Sequence, residues 1–345
     1  MVGSDANTPS NKCLLRSTYE FNIVHRNSGN TFPMDARRSR IVGLVAAAVL
    51  ATVVGSAAAS APPVRFKSPP SGLAGGASLW VSLAGDGALL RLDARTGRVL
   101  TRIDVHRADP RALGGGPLAA DGKRVWIAAP IHVDDDPVVG NASGWIGSVD
   151  VRRAKLRITQ VHGDPPSQIA VGPAGVWVTG GRTARHVDAR TGAVVGTLHL
   201  PAYLGAVAVG TNAVWVDEPN TGRLVEIDPR TRSVRGSVTI GRSTGKGSMA
   251  AVGNFVWAAT NGGLVSVDQR SRQVTARLSV PGASAVAFGG SQIWVVGRDG
   301  VYSIRAGKVT KRLPLARGGG ELIAVAGGAV WLSEGASNSL RRIQP

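Results

Sequence analysis

The fold of this 345-residue chain is decided by residues 168–200, which read QIAVGPAGVWVTGGRTARHVDARTGAVVGTLHL. The segment divides into four short strands, and turns that contain Gly or Asp separate them. Within the strands, apolar residues roughly alternate with small or polar ones, as half-buried strands require. The same unit returns at residues 206–240 and 249–280. A four-stranded sheet, repeated along the chain, is therefore predicted.

Tryptophans mark the period of the repeat. Seven of them open a strand rich in small and apolar residues, at spacings of 46, 51, 38, 42, 37 and 37: Trp80, Trp126, Trp177, Trp215, Trp257, Trp294 and Trp331. The eighth, Trp145, falls outside this series, within an insertion. A period near 40 with four strands in each unit is typical of a β-propeller. We predict an all-β fold, a single propeller of seven four-stranded blades over residues 62–345.

The two ends of this domain are expected to share one blade. The last repeat lacks its fourth strand, whereas residues 63–70 precede the first repeat without strands of their own. Pairing of this segment with residues 339–344 would complete the seventh blade. Ring closure of this kind removes open sheet edges, which otherwise favour aggregation.

The first 61 residues do not follow the repeat. Residues 1–33 are polar, contain the single cysteine, Cys13, and are predicted to be disordered or untranslated. Residues 34–61 have a basic start, an apolar centre and a small-residue end, which is typical of a signal peptide. If they are not cleaved, residues 41–59 are long enough to anchor the chain in a membrane. In both cases we expect the propeller to lie outside the cytoplasm, secreted or attached to the cell envelope.

Composition restricts the classes of function. The net charge is +18 for the whole chain, and residues 62–345 contain 34 Lys and Arg against 19 Asp and Glu. A basic extracytoplasmic surface could meet anionic cell-envelope polymers, although the arginines are spread through every repeat. Nucleic acid is not expected as a partner because of the export signal. The only P-loop-like sequence, GRSTGKGS at residues 241–248, has the wrong spacing and no helix after it.

The repeat resembles a known group of proteins. The pattern of a Gly, then V-W-V, a Gly-containing turn and I/V-D-x-x-T-G-x-V is similar to the repeats of YVTN-type and virginiamycin-B-lyase-like propellers, which grade into NHL and quinoprotein-like propellers. The resemblance covers about residues 71–345, and residues 165–180 are most like the lyase repeats. It implies a propeller fold. For the lyases it also implies a histidine, acidic residues and a divalent metal on one face.

The repeated residues themselves are interpreted as structural. A tryptophan at one position of each blade packs between neighbouring sheets. The Asp-x-x-Thr/Ser elements, which begin at Asp93, Asp188, Asp228 and Asp268, are expected to form turns in which the carboxylate accepts backbone N–H groups. Function is therefore sought among residues that do not repeat.

Nonrepeating polar residues follow the second strand of several blades or join one blade to the next. These connections are expected to lie on one face around the axis, where loops on a rigid scaffold carry function. The candidate ligand-binding residues are His106, His162, Asp164, Tyr203, Asp217, Glu218, Arg242, Arg298, Asp299 and Glu334. In the loop at residues 130–144, Asp134, Asp135 and Asp136 offer oxygen ligands to Ca²⁺ or Mg²⁺, and a solvated acidic loop is the alternative.

Two functions are compatible with these residues. The first is a noncatalytic binding or scaffold module for a protein, a glycan or a small polar ligand. The alternative is a metal-assisted lyase or hydrolase that uses the same face. The absence of a repeated metal-ligand pattern in the sequence favours the binding module.

Overall fold

The computed structural model describes residues 62–108, 115–130, 144–243, 249–315 and 320–344. Over these residues the chain begins with β1 (Val64–Arg65), and seven four-stranded antiparallel sheets follow one another around a ring. No described segment forms a helix that is long and apolar enough to cross a membrane. The predicted all-β fold with seven blades is confirmed.

Each of the first six blades is a simple up-and-down sheet. We name its strands A to D in chain order. Blade 1 consists of β2 (Pro70–Ala74), β3 (Ser78–Leu83), β4 (Ala88–Asp93) and β5 (Val99–Asp104). Blade 2 consists of β6 (Leu118–Ala120), β7 (Arg124–Pro130), β8 (Gly144–Asp150) and β9 (Lys155–Val161). Blade 3 consists of β10 (Gln168–Gly172), β11 (Gly175–Gly180), β12 (Thr183–Val187) and β13 (Val194–His199).

The next three blades repeat the order. Blade 4 consists of β14 (Val207–Val209), β15 (Val214–Glu218), β16 (Arg223–Ile227) and β17 (Val234–Thr239). Blade 5 consists of β18 (Met249–Val252), β19 (Phe255–Thr260), β20 (Gly263–Asp268) and β21 (Val274–Leu278). Blade 6 consists of β22 (Ala285–Gly289), β23 (Gln292–Gly297), β24 (Gly300–Arg305) and β25 (Lys308–Pro314).

Blade 7 closes the ring with strands from both ends of the domain. Its strands A to C are β26 (Ile323–Ala326), β27 (Ala329–Glu334) and β28 (Ser339–Ile343), with a 3-10 turn at Gly335–Ser337. β1 pairs with β28 as strand D, with Val64 opposite Leu340. The Phe66 N–H extends this pairing by donating to the Asn338 carbonyl at 2.8 Å. The predicted closure by an N-terminal strand is confirmed, with a ladder of two residues.

The antiparallel order divides the turns between two ends of the propeller. Turns that join A to B and C to D lie at one end, which we call the C–D face. Turns that join B to C, and connections from D to the next A, lie at the other end, which we call the B–C face. The candidate residues chosen from the sequence belong to the B–C face.

The core lies between neighbouring blades. All seven repeated tryptophans are buried, and with the Val, Leu and Ile of strands B and C they form clusters that join adjacent sheets. Trp145 is also fully buried. It lies in strand C of blade 2, where its ring packs on the neighbouring Gly147. The interpretation of Trp145 as part of an insertion is therefore wrong, because the inserted residues end just before β8.

The Asp-x-x-Thr/Ser elements form the expected turns. In blade 3, Asp188 Oδ1 accepts the backbone N–H groups of Arg190 and Thr191, at 2.9 and 2.6 Å, and the Thr191 hydroxyl at 2.8 Å. Asp93 and Asp268 are bonded in the same way. These hydrogen bonds lower the pKa of Asp188. The carboxylates therefore stabilise turns, as predicted.

Candidate functional site: the B–C face and the axial channel

An open channel of about 630 Å³ lies on the axis of the ring. All seven A strands, or the residues just before them, contribute to its wall. Its apolar side chains include Leu73, Leu118, Ile169, Val171, Val207, Met249, Val286, Leu322 and Ile323. Polar side chains are few among the lining residues, and a small number of placed polar groups can fix the orientation of a ligand.

The polar side chains of the channel lie at its mouth on the B–C face. They belong to the beginnings of the A strands or to the residues just before them: Ser71, Gln168, Ser284 and Glu321. Each A strand is also the inner edge of its sheet. An edge strand presents backbone N–H and C=O groups that have no partner in the ladder. The channel therefore offers hydrogen bonds as well as apolar walls.

None of the ten candidate ligand-binding residues is among the described residues that line this channel. His106, His162, Tyr203, Arg242 and Arg298 are exposed. His106 lies over Gly87 in the B–C turn of blade 1. The structure therefore distributes the predicted residues around the B–C face instead of gathering them at the axis.

Asp164 is held by the B–C turn of blade 3. Its Oδ2 accepts the Thr183 hydroxyl at 2.6 Å and the Arg182 N–H at 2.9 Å. These two hydrogen bonds, with the nearby charge of Arg185, lower its pKa. Asp164 therefore links the connection after blade 2 to the turn of blade 3.

Arg185 lies beside this contact and was not selected from the sequence. Its side chain projects from strand C of blade 3 and is only 4% exposed. Nη2 donates to the His162 carbonyl at 3.2 Å, while Nη1 has no hydrogen-bond partner among the described residues. Burial lowers the pKa of Arg185, although Asp164 opposes this effect. Neighbouring blades carry Val225 and Val265 at the equivalent position of strand C. An arginine where the repeat has a buried valine is the sequence signal that could have identified Arg185.

Asp217 is the most unusual carboxylate of the B–C face. It is 2% exposed, and its Oδ2 accepts the Ser243 hydroxyl. Its Oδ1 is buried and has no hydrogen-bond partner among the described residues. Burial, opposed by the Ser243 hydrogen bond, raises the pKa of Asp217 to about 6. Such a group can exchange a proton near neutral pH.

The position of Asp217 in strand B explains its burial. Two residues after the repeated tryptophan, blades 1 and 3 carry Ser82 and Thr179. Their hydroxyls donate to the Gly116 and Gly205 carbonyls, at 2.6 and 2.7 Å, at the entrance to the next blade. Asp217 makes the corresponding contact with Ser243, in the connection to blade 5. A carboxylate thus occupies a place where other blades use a neutral hydroxyl.

The other carboxylates of the face are paired. Glu218, only 1% exposed, accepts Arg223 Nη2 at 2.8 Å and the Thr221 hydroxyl at 2.8 Å. Glu334 pairs with Arg341 at 2.6 Å and accepts the Ser339 hydroxyl. Each of these contacts lies within one B–C hairpin, so it stabilises the turn.

Asp299 has the same kind of environment in blade 6. Its carboxylate accepts the Tyr302 hydroxyl at 2.6 Å and is paired with Arg312. The Tyr302 hydrogen bond lowers the pKa of Asp299 and raises that of Tyr302.

The predicted metal ligands Asp134, Asp135 and Asp136 lie outside the described residues. Within the described part of the chain, no group of three or more His, Cys, Asp or Glu side chains is placed to hold a metal ion. The loop at residues 130–144 therefore remains a prediction from sequence.

A second cavity, of about 750 Å³, lies on the C–D face between blades 4 and 5. Buried Glu226 faces it and pairs with Arg235 of its own blade at 3.4 Å and with Arg272 of the next blade at 2.5 Å. Gln269 lies near them and accepts the indole N–H of Trp215 at 3.3 Å. Both arginines already neutralise Glu226. The polar residues of this cavity are therefore best explained as a contact that joins two blades.

Sequence comparison finds no matching family model and no matching curated protein. Solved structures do resemble the fold. The structure of streptogramin B lyase matches with a TM-score of 0.63 and 15% identity, over 81% of this chain and 96% of that chain. The propeller domain of Cps50 (Swd1) from Myceliophteria thermophila matches with a TM-score of 0.62 and 13% identity, over 82% and 98%.

BamB from Moraxella catarrhalis matches with a TM-score of 0.53 and 18% identity, over 81% of this chain and 84% of that chain. At these identities the likeness concerns the fold. The match to streptogramin B lyase confirms that the architecture is similar to that of virginiamycin-B-lyase-like propellers, as the sequence repeat predicts. The chain is a seven-bladed β-propeller that shares its fold with streptogramin B lyase.

Proposed function

We propose that this protein is an extracytoplasmic binding module that takes a small polar ligand or the end of a glycan at the mouth of its axial channel. The observation that supports this proposal is the channel itself. It combines apolar walls with a few polar side chains at the mouth and with the inner edges of seven sheets. Its volume of about 630 Å³ lies within the range of known small-molecule sites.

The engaged carboxylates of the B–C face favour binding over metal-assisted catalysis. Asp164, Glu218, Asp299 and Glu334 each accept hydrogen bonds from neighbouring groups. In Asp299 and Glu334 both carboxylate oxygens are engaged, so ligating a metal would compete with contacts that stabilise the turn. A catalytic base likewise needs a lone pair aimed at substrate.

The channel can be tested with an oligosaccharide library and ligand-detected NMR. Gln168→Trp places a large ring at the mouth, whereas Val195→Trp places the same ring on the outer strand of blade 3. Oligosaccharides that bind the wild type should lose binding to Gln168→Trp and keep binding to Val195→Trp. Equal binding to both variants would place the ligand elsewhere and contradict the proposal.

Asp217 favours a second candidate, a lyase or hydrolase on the same face. Its carboxylate combines burial, an unpartnered oxygen and a pKa of about 6. The fold shared with streptogramin B lyase is compatible with this activity, although likeness of fold does not establish it. Turnover of a streptogramin by the wild type that is lost in Asp217→Asn would support the enzyme. No turnover with Ca²⁺, Mg²⁺ or Mn²⁺ present would exclude this substrate.

A divalent cation and the extracytoplasmic location complete the proposal. Calorimetric titration with Ca²⁺ or Mg²⁺ tests the acidic loop. Replacement of Asp134, Asp135 and Asp136 by alanine should remove any binding, and unchanged binding would show that the loop is not the site. N-terminal sequencing of the exported protein distinguishes cleavage near residue 61 from retention of residues 41–59 as an anchor. Detection of the native chain only in the cytoplasm would contradict the location.

A further inference from the structure

We propose that the C–D face of the propeller docks on the surface of an anionic lipid bilayer. This inference concerns the end of the propeller opposite the proposed ligand site. It rests on three independent features of that end: a ring of arginines, a set of exposed apolar side chains and the point at which the N-terminal segment joins the domain.

The arginines occupy one position of the repeat. Two residues after the turn aspartate, blades 1 to 5 carry Arg95, Arg152, Arg190, Arg230 and Arg270. In each turn the backbone N–H of this arginine donates to the aspartate Oδ1, at 2.7–3.0 Å. This bond fixes the backbone of the turn at the end of the blade. All five side chains are exposed, and none has a hydrogen bond or ion pair among the described residues.

The surrounding turns are also basic. Thirteen Lys and Arg stand against five Asp in the six C–D turns, at residues 93–98, 150–155, 188–193, 228–235, 268–273 and 305–308. Two of the thirteen, Arg235 and Arg272, are paired with Glu226. The aspartates are engaged with backbone N–H groups, which lower the pKa of Asp228 to about 2. The B–C face carries both signs, because the exposed Arg107, Arg182, Arg242 and Arg298 lie on the same face as Asp164, Asp217, Glu218 and Asp299. The two ends of the propeller therefore differ in charge, and the C–D face is the one that anionic headgroups attract.

Exposed apolar side chains are concentrated at the same end. Of the eight large hydrophobic residues with exposed side chains among the described residues, seven lie at or beside A–B and C–D turns. Phe255 and Phe288 belong to A–B hairpins and are 38% and 49% exposed. Val99 and Val234 begin D strands and are 47% and 50% exposed. Aromatic and aliphatic side chains beside a basic patch are typical of proteins that insert shallowly into a bilayer.

The N-terminal segment joins the propeller at this end. β1 is the D strand of blade 7, so it runs from the C–D face towards the B–C face. Its first residue confirms the direction, because Val64 Cγ2 lies beside Gly97 in the C–D turn of blade 1. In the sequence, the apolar stretch of residues 41–59 ends only two residues before Pro62. The chain therefore enters the propeller at the C–D face.

These features favour a lipid surface over a soluble polyanion. A polyanion would use the arginines alone, whereas the bilayer also accounts for Phe255, Phe288 and the apolar N-terminal stretch. Docking in this orientation leaves the mouth of the axial channel open to solvent. The bilayer contact would then position the B–C face for its ligand without covering it.

Vesicle co-sedimentation tests the proposal with the full chain. To prevent the apolar stretch from binding by itself, every variant carries Leu44→Asp, Val49→Asp and Val53→Asp. The probes are vesicles of phosphatidylcholine and vesicles of equal parts phosphatidylcholine and phosphatidylglycerol. The background chain should bind the anionic vesicles, and binding should weaken as salt is added.

Matched sets of substitutions locate the contact. Neutralising Arg95, Arg190, Arg230 and Arg270 with glutamine should reduce the apparent affinity for anionic vesicles by at least about tenfold. The same change at four exposed arginines of the B–C face, Arg107, Arg182, Arg242 and Arg298, should reduce it much less. Phe255→Ser with Phe288→Ser should remove the binding that persists at high salt. Circular dichroism and thermal melting identify any variant that fails to fold.

Three outcomes would overturn the proposal. Equal losses in the two arginine sets would show that only net charge matters. Unchanged binding after both phenylalanine substitutions, together with equally tight, arginine-dependent binding of soluble polyphosphate, would identify a polyanion as the partner. If the folded background chain does not bind anionic vesicles even at low salt, the face is not a membrane surface.

Discussion

Replacement of Asp217 by asparagine should stabilise the protein at neutral pH and should have no such effect in acid. In the wild type the carboxylate is buried, with one oxygen bonded to Ser243 and the other without a partner among the described residues. Burial raises its pKa from 3.8 to about 6. Because the folded state holds this proton more tightly than the unfolded state, stability falls as the pH rises from 3.8 through 6.

The size of the effect follows from that difference. A change in pKa from 3.8 to about 6 costs the folded protein about 3 kcal/mol once the group is ionised. Asparagine removes this cost and can still accept the Ser243 hydroxyl. The asparagine N–H₂ group would lie where Oδ1 lacks a partner. Burying it without an acceptor costs about 1 kcal/mol, which offsets part of the gain in stability. We therefore expect Asp217→Asn to raise the free energy of unfolding by about 1–2 kcal/mol at pH 8 and to lower it slightly at pH 4.

Urea denaturation followed by tryptophan fluorescence measures this difference across the pH range. Glu218→Gln is the matched control, because Glu218 is equally buried but is paired with Arg223. It should destabilise the protein at pH 8, since it weakens the charge-assisted hydrogen bonds from Arg223 to Glu218. A stability difference between Asp217→Asn and wild type that does not change with pH would refute the reasoning. Asp217 would then titrate as an ordinary carboxylate.

Three further predictions concern the ring and its contacts. Deleting residues 62–67 should lower the melting temperature by several degrees because blade 7 loses strand D, and an unchanged melting curve would falsify the closure. Gly97→Ala should cost about 2 kcal/mol in urea denaturation: φ is +75°, and the new Cβ would lie 2.6 Å from Val64. Gly122→Ala is the matched control, because φ is +84° and an added Cβ would meet no other atom. It should lower the free energy of unfolding by less, and its effect measures backbone strain alone. Glu226→Gln should lower the free energy of unfolding by about 2 kcal/mol, whereas the exposed Glu321→Gln should change it little.

The sequence was sufficient to predict the strands and turns within each blade. The tryptophan spacing indicates seven units because the same residue returns in every blade. Asp188 with Thr191 indicates the turn between strands C and D because the two residues are only three positions apart. Contacts between blades are different. Glu226 and Arg272 are 46 residues apart, and no local pattern relates them. The burial of Asp217 likewise depends on the connection to the next blade.

One signal could have shown the polar contacts between blades. The strand C residue opposite each repeated tryptophan is polar in all seven blades: Arg91, Ser148, His186, Glu226, Ser266, Ser303 and Arg342. His186 is one of these seven residues. At this position its ring stacks on Trp177, with 4.8 Å between ring centroids. Comparison of positions, without regard to residue type, would have identified it as structural.

The same comparison shows that two blades carry an arginine where two others carry a turn glycine. The fifth residue of the C–D turn has positive φ, and it is Gly97 and Gly192 in blades 1 and 3 but Arg232 and Arg272 in blades 4 and 5. A left-handed arginine is strained, and a contact of its side chain can offset the strain. Arg272 has one, because it reaches back to the buried Glu226 of blade 4.

Room for these arginines comes from glycines in the preceding D strand. A Cβ built at Gly236 would lie 3.4 Å from the Arg272 side chain, and one at Gly196 would lie 2.3 Å from Arg232. Each arginine and its glycine belong to different blades and form one contact. A turn arginine in one blade is thus accompanied by a strand D glycine in the preceding blade. Substitutions there should be strongly coupled: Gly196→Ala should be tolerated when Arg232 is replaced by glycine and should destabilise the wild type.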